Sequence, residues 1–263
     1  MTDKKKKKEM VTVVTQECLA DGIFSMWIQT EAAKEARPGQ FISMYTNDGS
    51  RLLPRPISIC EINREKGQLR VVYRVTGEGT GTEQFSRMKA GDSLSIIAPL
   101  GNGFPYEKAE GKQVFLMGGG IGVPPILELA KQMKCRKKQV IAGYRDSQTF
   151  LREEFERNAE VYVSTEDGSV GTKGNVMDAV RENSLQADMI FACGPAPMLR
   201  AIKEYARKNN IVCYISLEER MACGIGACLG CVCQSVEMDS HSNVHNKRIC
   251  KDGPVFLSTE VEI

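Results

Sequence analysis

Five of the chain's ten cysteines fall between Cys223 and Cys250, and their spacing limits what this sequence can build more than any other feature. The order is Cys223-x4-Cys228-x2-Cys231, then eighteen residues, then Cys250, with Cys233 just beyond the third. Small residues separate the first three: Ala222, Gly224, Gly226, Ala227 and Gly230. Such a stretch can wrap tightly, because glycine reaches backbone conformations closed to other residues. The remaining five cysteines are scattered through the first 215 residues. Lys4–Lys8 is followed by Glu9 and an alternating stretch, not by the apolar core of a secretory signal. We therefore expect a disordered basic tail over 1–9, and thiols kept reduced in a cytoplasm instead of a disulfide framework.

Plant-type [2Fe–2S] centres use C-x4-C-x2-C and a distant fourth cysteine as ligands. The geometry has a cause: a loop of small residues wraps one iron so that backbone amides point at the anionic sulfurs. This makes Cys223, Cys228, Cys231 and Cys250 the candidate ligands. A structural zinc site is the competing reading, and would give a zinc-stabilised interaction domain with no enzymatic role. It usually needs two C-x2-C pairs or Cys paired with His, and only one such pair is present. His241 and His245 stand as H-x3-H before Cys250 and read as solvated loop residues. Cys233 lies just beyond the three closely spaced cysteines and reads as a small buried hydrophobe, outside the ligand set.

A chain of 263 residues is long for one core, so two domains and an appendage are expected. From Met10 to about Leu100 short strand-like runs are punctuated by Pro38-Gly39, Lys66-Gly67 and Ala90-Gly91, which suggests an antiparallel β-barrel. After Pro99, Gly101, Gly103 and Pro105, short apolar runs alternate with helical stretches, the mark of a doubly wound parallel α/β sheet. The expected divisions are 10–103, 104–215 and a cysteine segment, 216–263. No apolar run reaches the ~18–20 residues of a membrane span. Removing Lys4–Lys8 from the formal charge of +2 leaves −3, so nucleic acid is not an expected partner.

Two glycine-containing segments point to nucleotide cofactors. Arg55-Pro56-Ile57-Ser58 heads a strand, and Val72-Tyr73-Arg74 is followed by Gly77-Glu78-Gly79-Thr80-Gly81 opening a helix. Amides at a helix N-terminus favour a phosphate, and Arg55 can add a bidentate charged contact to a pyrophosphate. Gly118, Gly119, Gly120 and Gly122 follow a strand and open another helix, although Val123 takes the last position of the dinucleotide fingerprint. Cys193-Gly194-Pro195 ends a later strand. Glu166 and Asp167 follow another; two acids repel a 2′-phosphate and accept hydrogen bonds from a free ribose diol, which favours NAD over NADP. Arg145 argues the other way, with Asp146 beside it.

Together these motifs resemble the ferredoxin–NADP reductase superfamily. The stretch from Glu218 to Cys231, with Cys250-Lys251-Asp252-Gly253-Pro254-Val255-Phe256, is similar to the electron-transfer subunits of class 1B, NAD-dependent dihydroorotate dehydrogenases. The resemblance runs from about Met10 to Phe256, and the loop between Cys231 and Cys250 is a few residues longer than the family pattern. It implies that Arg55 binds the FAD pyrophosphate, that Ser58 lies near the flavin's reactive nitrogen, and that Cys193 lies beside the nicotinamide. Ile57 stands where the superfamily has an aromatic, so Tyr73 is expected to cover the flavin instead. The family divides its labour: an FMN-containing partner oxidises dihydroorotate, and electrons pass through [2Fe–2S] and FAD to NAD, in pyrimidine biosynthesis. A heterotetramer with two copies of each chain is implied, and no general base on this one. Related flavin–iron–sulfur subunits, of an NADH-dependent ferredoxin:NADP oxidoreductase or a sulfhydrogenase, are the nearest alternatives.

Overall fold

Alternation of apolar and polar residues closes the first third of the chain into a barrel. The computed structural model describes residues 7–238 and 243–263. Six strands, β1 (Lys7–Ala20), β2 (Ile23–Gln29), β3 (Phe41–Tyr45), β4 (Arg55–Asn63), β5 (Gln68–Arg74) and β6 (Ser93–Leu100), with helix α1 (Gly81–Ser86) before the last, form a closed barrel ordered β1-β2-β5-β4-β3-β6. All neighbours are antiparallel. Met26, Ile28, Ile42, Met44, Ile59, Leu69, Val71 and Ile96 fill it and are fully buried. The expected basic tail is shorter than 1–9. Lys7, Lys8 and Glu9 begin β1 and pair with Ala98, Ile97 and Ile96, because a strand backbone pairs whatever charge its outward side chains carry. Residues 1–6 lie outside the described residues.

The rest alternates strand and helix: β7 (Gln113–Gly119), α2 (Pro124–Gln132), β8 (Lys137–Tyr144), α3 (Arg152–Glu156), β9 (Glu160–Thr165), β10 (Thr172–Lys173), α4 (Val176–Glu182), β11 (Met189–Cys193), α5 (Ala196–Lys208) and β12 (Val212–Ser216). Local chemistry starts the helices. Pro124 and Pro125 open α2, where a missing N–H costs nothing. Asn175 caps α4 in a capping box with Asp178. Strands β10-β9-β8-β7-β11-β12 are parallel.

The cysteine segment is less separate than its sequence suggests. It forms the hairpin β13 (Val232–Gln234) and β14 (Asn246–Arg248), then β15 (Val255–Leu257), which adds an antiparallel seventh strand to the α/β sheet beside β12. Cys231, Ile249, Cys250 and Phe256 share one apolar core with Phe41 and Leu100 of the barrel. Among the described residues no helix is long and apolar enough to cross a membrane.

A buried ion network joins barrel to sheet. Arg70 on β5 reaches Glu61 at 2.5 Å, Glu154 of α3 at 2.8 Å and Ser25 Oγ at 2.8 Å. Lys131 of α2 pairs with Glu61, and Glu128 accepts the Ile62 amide at 2.9 Å. Desolvation works against the Glu61 carboxylate, but Lys131 and Arg70 outweigh it and hold it below its ordinary 4.5. Removing one member of a buried pair strands the other charge and costs ~3–5 kcal/mol. Arg70→Met should therefore lower the denaturation free energy by about that amount. A carboxylate with a depressed pKa contributes stability above its unfolded value and loses it as pH falls through the folded one. Denaturant titrations from pH 7 to pH 3 should thus show a weaker loss on the acid side in the variant than in the parent.

Candidate functional site

Three sites lie in sequence along the barrel–sheet junction. The first is a cleft of about 490 Å³ walled by the head of β4 and the end of β5 on one side and by Ser216–Met221 on the other. Arg55, Pro56, Ile57 and Ser58 line it, as do Val72 and Arg74. Arg55 lies across the start of α1: a Cβ on Gly81 would sit 2.8 Å from its Nε, so glycine is what lets the guanidinium approach the helix end. A cationic fork beside a helix N-terminus suits a pyrophosphate.

Two expectations change here. Tyr73 borders the cleft, but its ring is turned into the barrel and is 1% exposed. It packs on Phe24 and Phe85, with its hydroxyl accepting from Gln16 Nε2 at 3.0 Å. The ring is therefore not free to cover a flavin. Nor is the Gly79 amide free for phosphate, because the Glu83 carboxylate accepts it at 2.7 Å. Thr80 caps α1 through its hydroxyl. From this loop it is Thr76 and Thr82 that line the cleft.

The second cleft, about 330 Å³, opens over the ends of β7 and β8. Gly119, Gly120, Gly122, Gly194 and Pro195 line it. The glycines permit close backbone approach: a Cβ on Gly122 would fall 2.4 Å from the Cys193 carbonyl oxygen, and one on Gly119 2.5 Å from Met198 Sδ. Gly118 packs beneath, against Val123. Glu166 and Arg145 both line this cleft. Asp167 instead folds back on its own turn, accepting the Ser169 amide at 2.9 Å. Cys193 is fully buried, and desolvation pushes its thiol well up, reinforced by Glu218.

Arg74, Ile121 and Glu218 line both clefts, so the two meet at a shared wall. Glu218 opens the stretch singled out in the sequence, but nothing in its spacing marked it as a wall of both clefts. Desolvation raises its carboxyl above the ordinary value, opposed by Arg74.

The third site is the cysteine loop, which leaves the first cleft at Met221. Gly224 at φ +67° and Gly226 at φ +88° turn it so that amides face sulfur. Ile225 and Ala227 donate to Cys223 Sγ at 3.4 and 3.3 Å, Gly230 to Cys228 Sγ at 3.4 Å, and Cys250 to Cys231 Sγ at 3.4 Å. Desolvation opposes the Cys223 thiolate, but the Ile225, Cys228 and Ala227 donations bring the thiol down to about 6. Desolvation and the neighbouring Cys231 and Cys223 push Cys250 up to about 12. Held together as thiolates, such groups would repel one another unless a cation stood between them. Cys228 contacts Cys223, and Cys250 lies beside both Cys231 and Cys223. Among the described residues no three His, Cys, Asp or Glu side chains gather around a single ion position. Cys233 faces Lys247 across the hairpin and packs on the apolar core. His245 meets the Val236 carbonyl at 3.0 Å, and His241 lies outside the described residues.

Known proteins divide the chain in the same order. The profile of an oxidoreductase FAD-binding domain matches residues 11–105, and that of an oxidoreductase NAD-binding domain matches 116–204. The iron–sulfur cluster binding domain of dihydroorotate dehydrogenase B matches 218–262. Two relatives are both named dihydroorotate dehydrogenase B (NAD(+)), electron transfer subunit. The one from Caldanaerobacter subterraneus subsp. tengcongensis is 44% identical over 254 residues, 97% of this chain and 98% of its own length. That from Bacillus caldolyticus is 42% identical over 260 residues, with the same coverage. A solved NADH-dependent reduced ferredoxin-NADP oxidoreductase superposes with TM-score 0.84 at 27% identity, covering 97% of this chain and 90% of that one. A ferredoxin NADP+ reductase from Neisseria gonorrhoeae shares the fold at TM-score 0.68 and 14% identity, over 82% of this chain and 95% of its own.

Replacing Cys223, Cys228, Cys231 or Cys250 singly by Ser should abolish or cripple iron retention, whereas Cys233→Ser should leave it intact. Iron analysis and the visible spectrum of each purified variant check this; unchanged iron after Cys228→Ser would contradict the assignment.

Proposed function

The chain belongs to the electron-transfer subunits of dihydroorotate dehydrogenase B, and we propose that it links a catalytic partner to NAD through an FAD and a [2Fe–2S] cluster held in its three adjoining sites. The observation that carries this reading is the order of those sites: the nicotinamide cleft shares Arg74, Ile121 and Glu218 with the flavin cleft, whose far wall runs at Met221 into the cysteine loop. When bound, FAD supplies the exchange between hydride chemistry at NAD and one-electron chemistry at the cluster. The protein's part is binding, orientation and electrostatics.

Arg55 would set a positive charge toward the pyrophosphate, and Pro56, Ile57 and Ser58, which line the same cleft, would hold the flavin. Gly119, Gly120 and Gly122 admit the nicotinamide nucleotide, and Glu166 faces its ribose. Val123 and Ile126, wholly buried, keep the helix behind this loop in place. The working units are 10–103, 104–215 and 216–263, with β15 tying the last to the second. The process served is pyrimidine biosynthesis, at the oxidation of dihydroorotate.

The partner we propose is an FMN-containing catalytic subunit, assembled two by two with this chain. Cys228 is exposed, and Ile225, Leu229 and Val232 around it are 42%, 55% and 39% exposed, an apolar rim at the cluster. Apolar surface of this kind marks a protein contact. A cytoplasmic setting fits ten free thiols. The alternative, a subunit of a ferredoxin:NADP oxidoreductase, shares the architecture, but the sequence is much nearer the dihydroorotate dehydrogenase subunits.

Assays of this chain alone, the FMN chain alone and the two mixed test the reading. Dihydroorotate-dependent NAD reduction should appear only in the mixture, while this chain alone reduces dyes with NADH. Robust dihydroorotate oxidation by this chain alone would show the chemistry to be misplaced.

A further inference from the structure

Among the described residues two buried side-chain oxygens have no hydrogen-bond partner, Ser43 Oγ and Ser164 Oγ. An unpaired buried hydroxyl costs ~1–3 kcal/mol, so each position calls for an explanation. Ser164 lies on β9 beside Gly143, on the nicotinamide side. Ser43 has a more informative address. It is wholly buried in the middle of β3, between Ile42 and Met44, which fill the barrel. Strand alternation therefore turns Ser43 outward together with Phe41. That outer face is covered by the cysteine segment, where Phe41 and Leu100 pack in one core with Cys231 and Cys250.

The contact is close. A Cβ on Gly224 would fall 2.7 Å from Ser43 Oγ, so the hydroxyl lies against the backbone immediately after Cys223. Its cross-strand partner Pro56 and its neighbour Phe41 both line the flavin cleft. Ser43 thus stands between that cleft and the first thiol of the loop. Packing alone does not explain a hydroxyl here, since alanine would fill the strand position without leaving an oxygen unpaired.

We propose that the Ser43 hydroxyl donates a hydrogen bond to a sulfur of the bound cluster on the Cys223 side, and that the barrel thereby helps set the cluster's potential. The proposal rests on Cys223, Cys228, Cys231 and Cys250 being the ligands. Hydrogen bonds to the sulfurs favour the more negative, reduced state and raise the potential. The other donors to sulfur in the loop are its own backbone amides, which no side-chain substitution removes. Ser43 is a side-chain donor supplied from the barrel, so a single substitution can isolate it.

The test is Ser43→Ala in the cofactor-loaded complex. Iron content, FAD content and thermal midpoint should match the parent, because no protein partner is lost. The cluster's reduction equilibrium should shift about tenfold against reduction, about 59 mV more negative for a one-electron couple. The flavin couple should stay in place, and the EPR g-values of the reduced cluster should move. Pulsed ENDOR after exchange into D2O should show one exchangeable proton coupling in the parent that the variant lacks. A loaded variant with the parental potential and spectrum would overturn the proposal, and so would a shift confined to the flavin. Loss of the cluster would also overturn it, since a tuning donor is not needed for assembly. A parent protein that holds no iron would instead refute the ligand assignment, a separate and distinguishable failure.

Discussion

Four cysteines can share one pocket as thiolates only if something offsets the repulsion between their charges, and much of this structure bears on that need. Part of the offset comes from the chain itself, as amides of Ile225, Ala227, Gly230 and Cys250 turned toward sulfur. The turns require left-handed backbone at Gly224 and Gly226, positions where a side chain would also meet Ser43 and Lys251. The rest must come from a cation core. The segment is held by what it packs against: Cys231 and Cys250 are buried against the outer wall of the barrel, and β15 is stitched to the α/β sheet. Cys228 is left exposed at the rim. One side of the loop is thereby insulated by protein and the other is exposed.

The same packing fixes the clefts relative to one another. Arg70 and its carboxylates lock β4 and β5 to α2 and α3, so the walls carrying Arg55 and Ser58 cannot drift from those carrying Gly119 and Gly122. Arg74 and Glu218 then occupy the seam that both clefts share. A rigid junction suits a protein whose task is to keep three redox partners at fixed separations.

How much of this was legible in the sequence depended on range. The candidate ligands stood out because their spacing is local: Cys223, Cys228 and Cys231 lie on one loop whose small residues announce its curvature. The barrel and the parallel sheet were readable from period and punctuation. What escaped depended on contacts distant in sequence or on competition for a hydrogen bond. Val255–Leu257 is a three-residue run whose partner strand lies some forty residues earlier, so nothing local marked it as part of the sheet. The Gly79 amide looked free until Glu83 claimed it, and the bond from the Ser169 amide to Asp167 is equally invisible in the sequence. Tyr73 alternates into the barrel, a register that the sequence of β5 alone does not settle. Lys7 and Lys8 read as tail because charge suggests solvent, yet both pair along β6.

The central claim is that the nicotinamide cleft, the flavin cleft and the cysteine loop form one continuous electron path within this chain. Anaerobic titration of the isolated, cofactor-loaded chain with NADH, followed by visible and EPR spectroscopy, tests it most directly. The account predicts that NADH bleaches the flavin and, with no partner present, also brings up the EPR signal of the reduced cluster. Full flavin bleaching with the cluster left oxidised, although a chemical reductant of similar potential reduces it, would contradict the account.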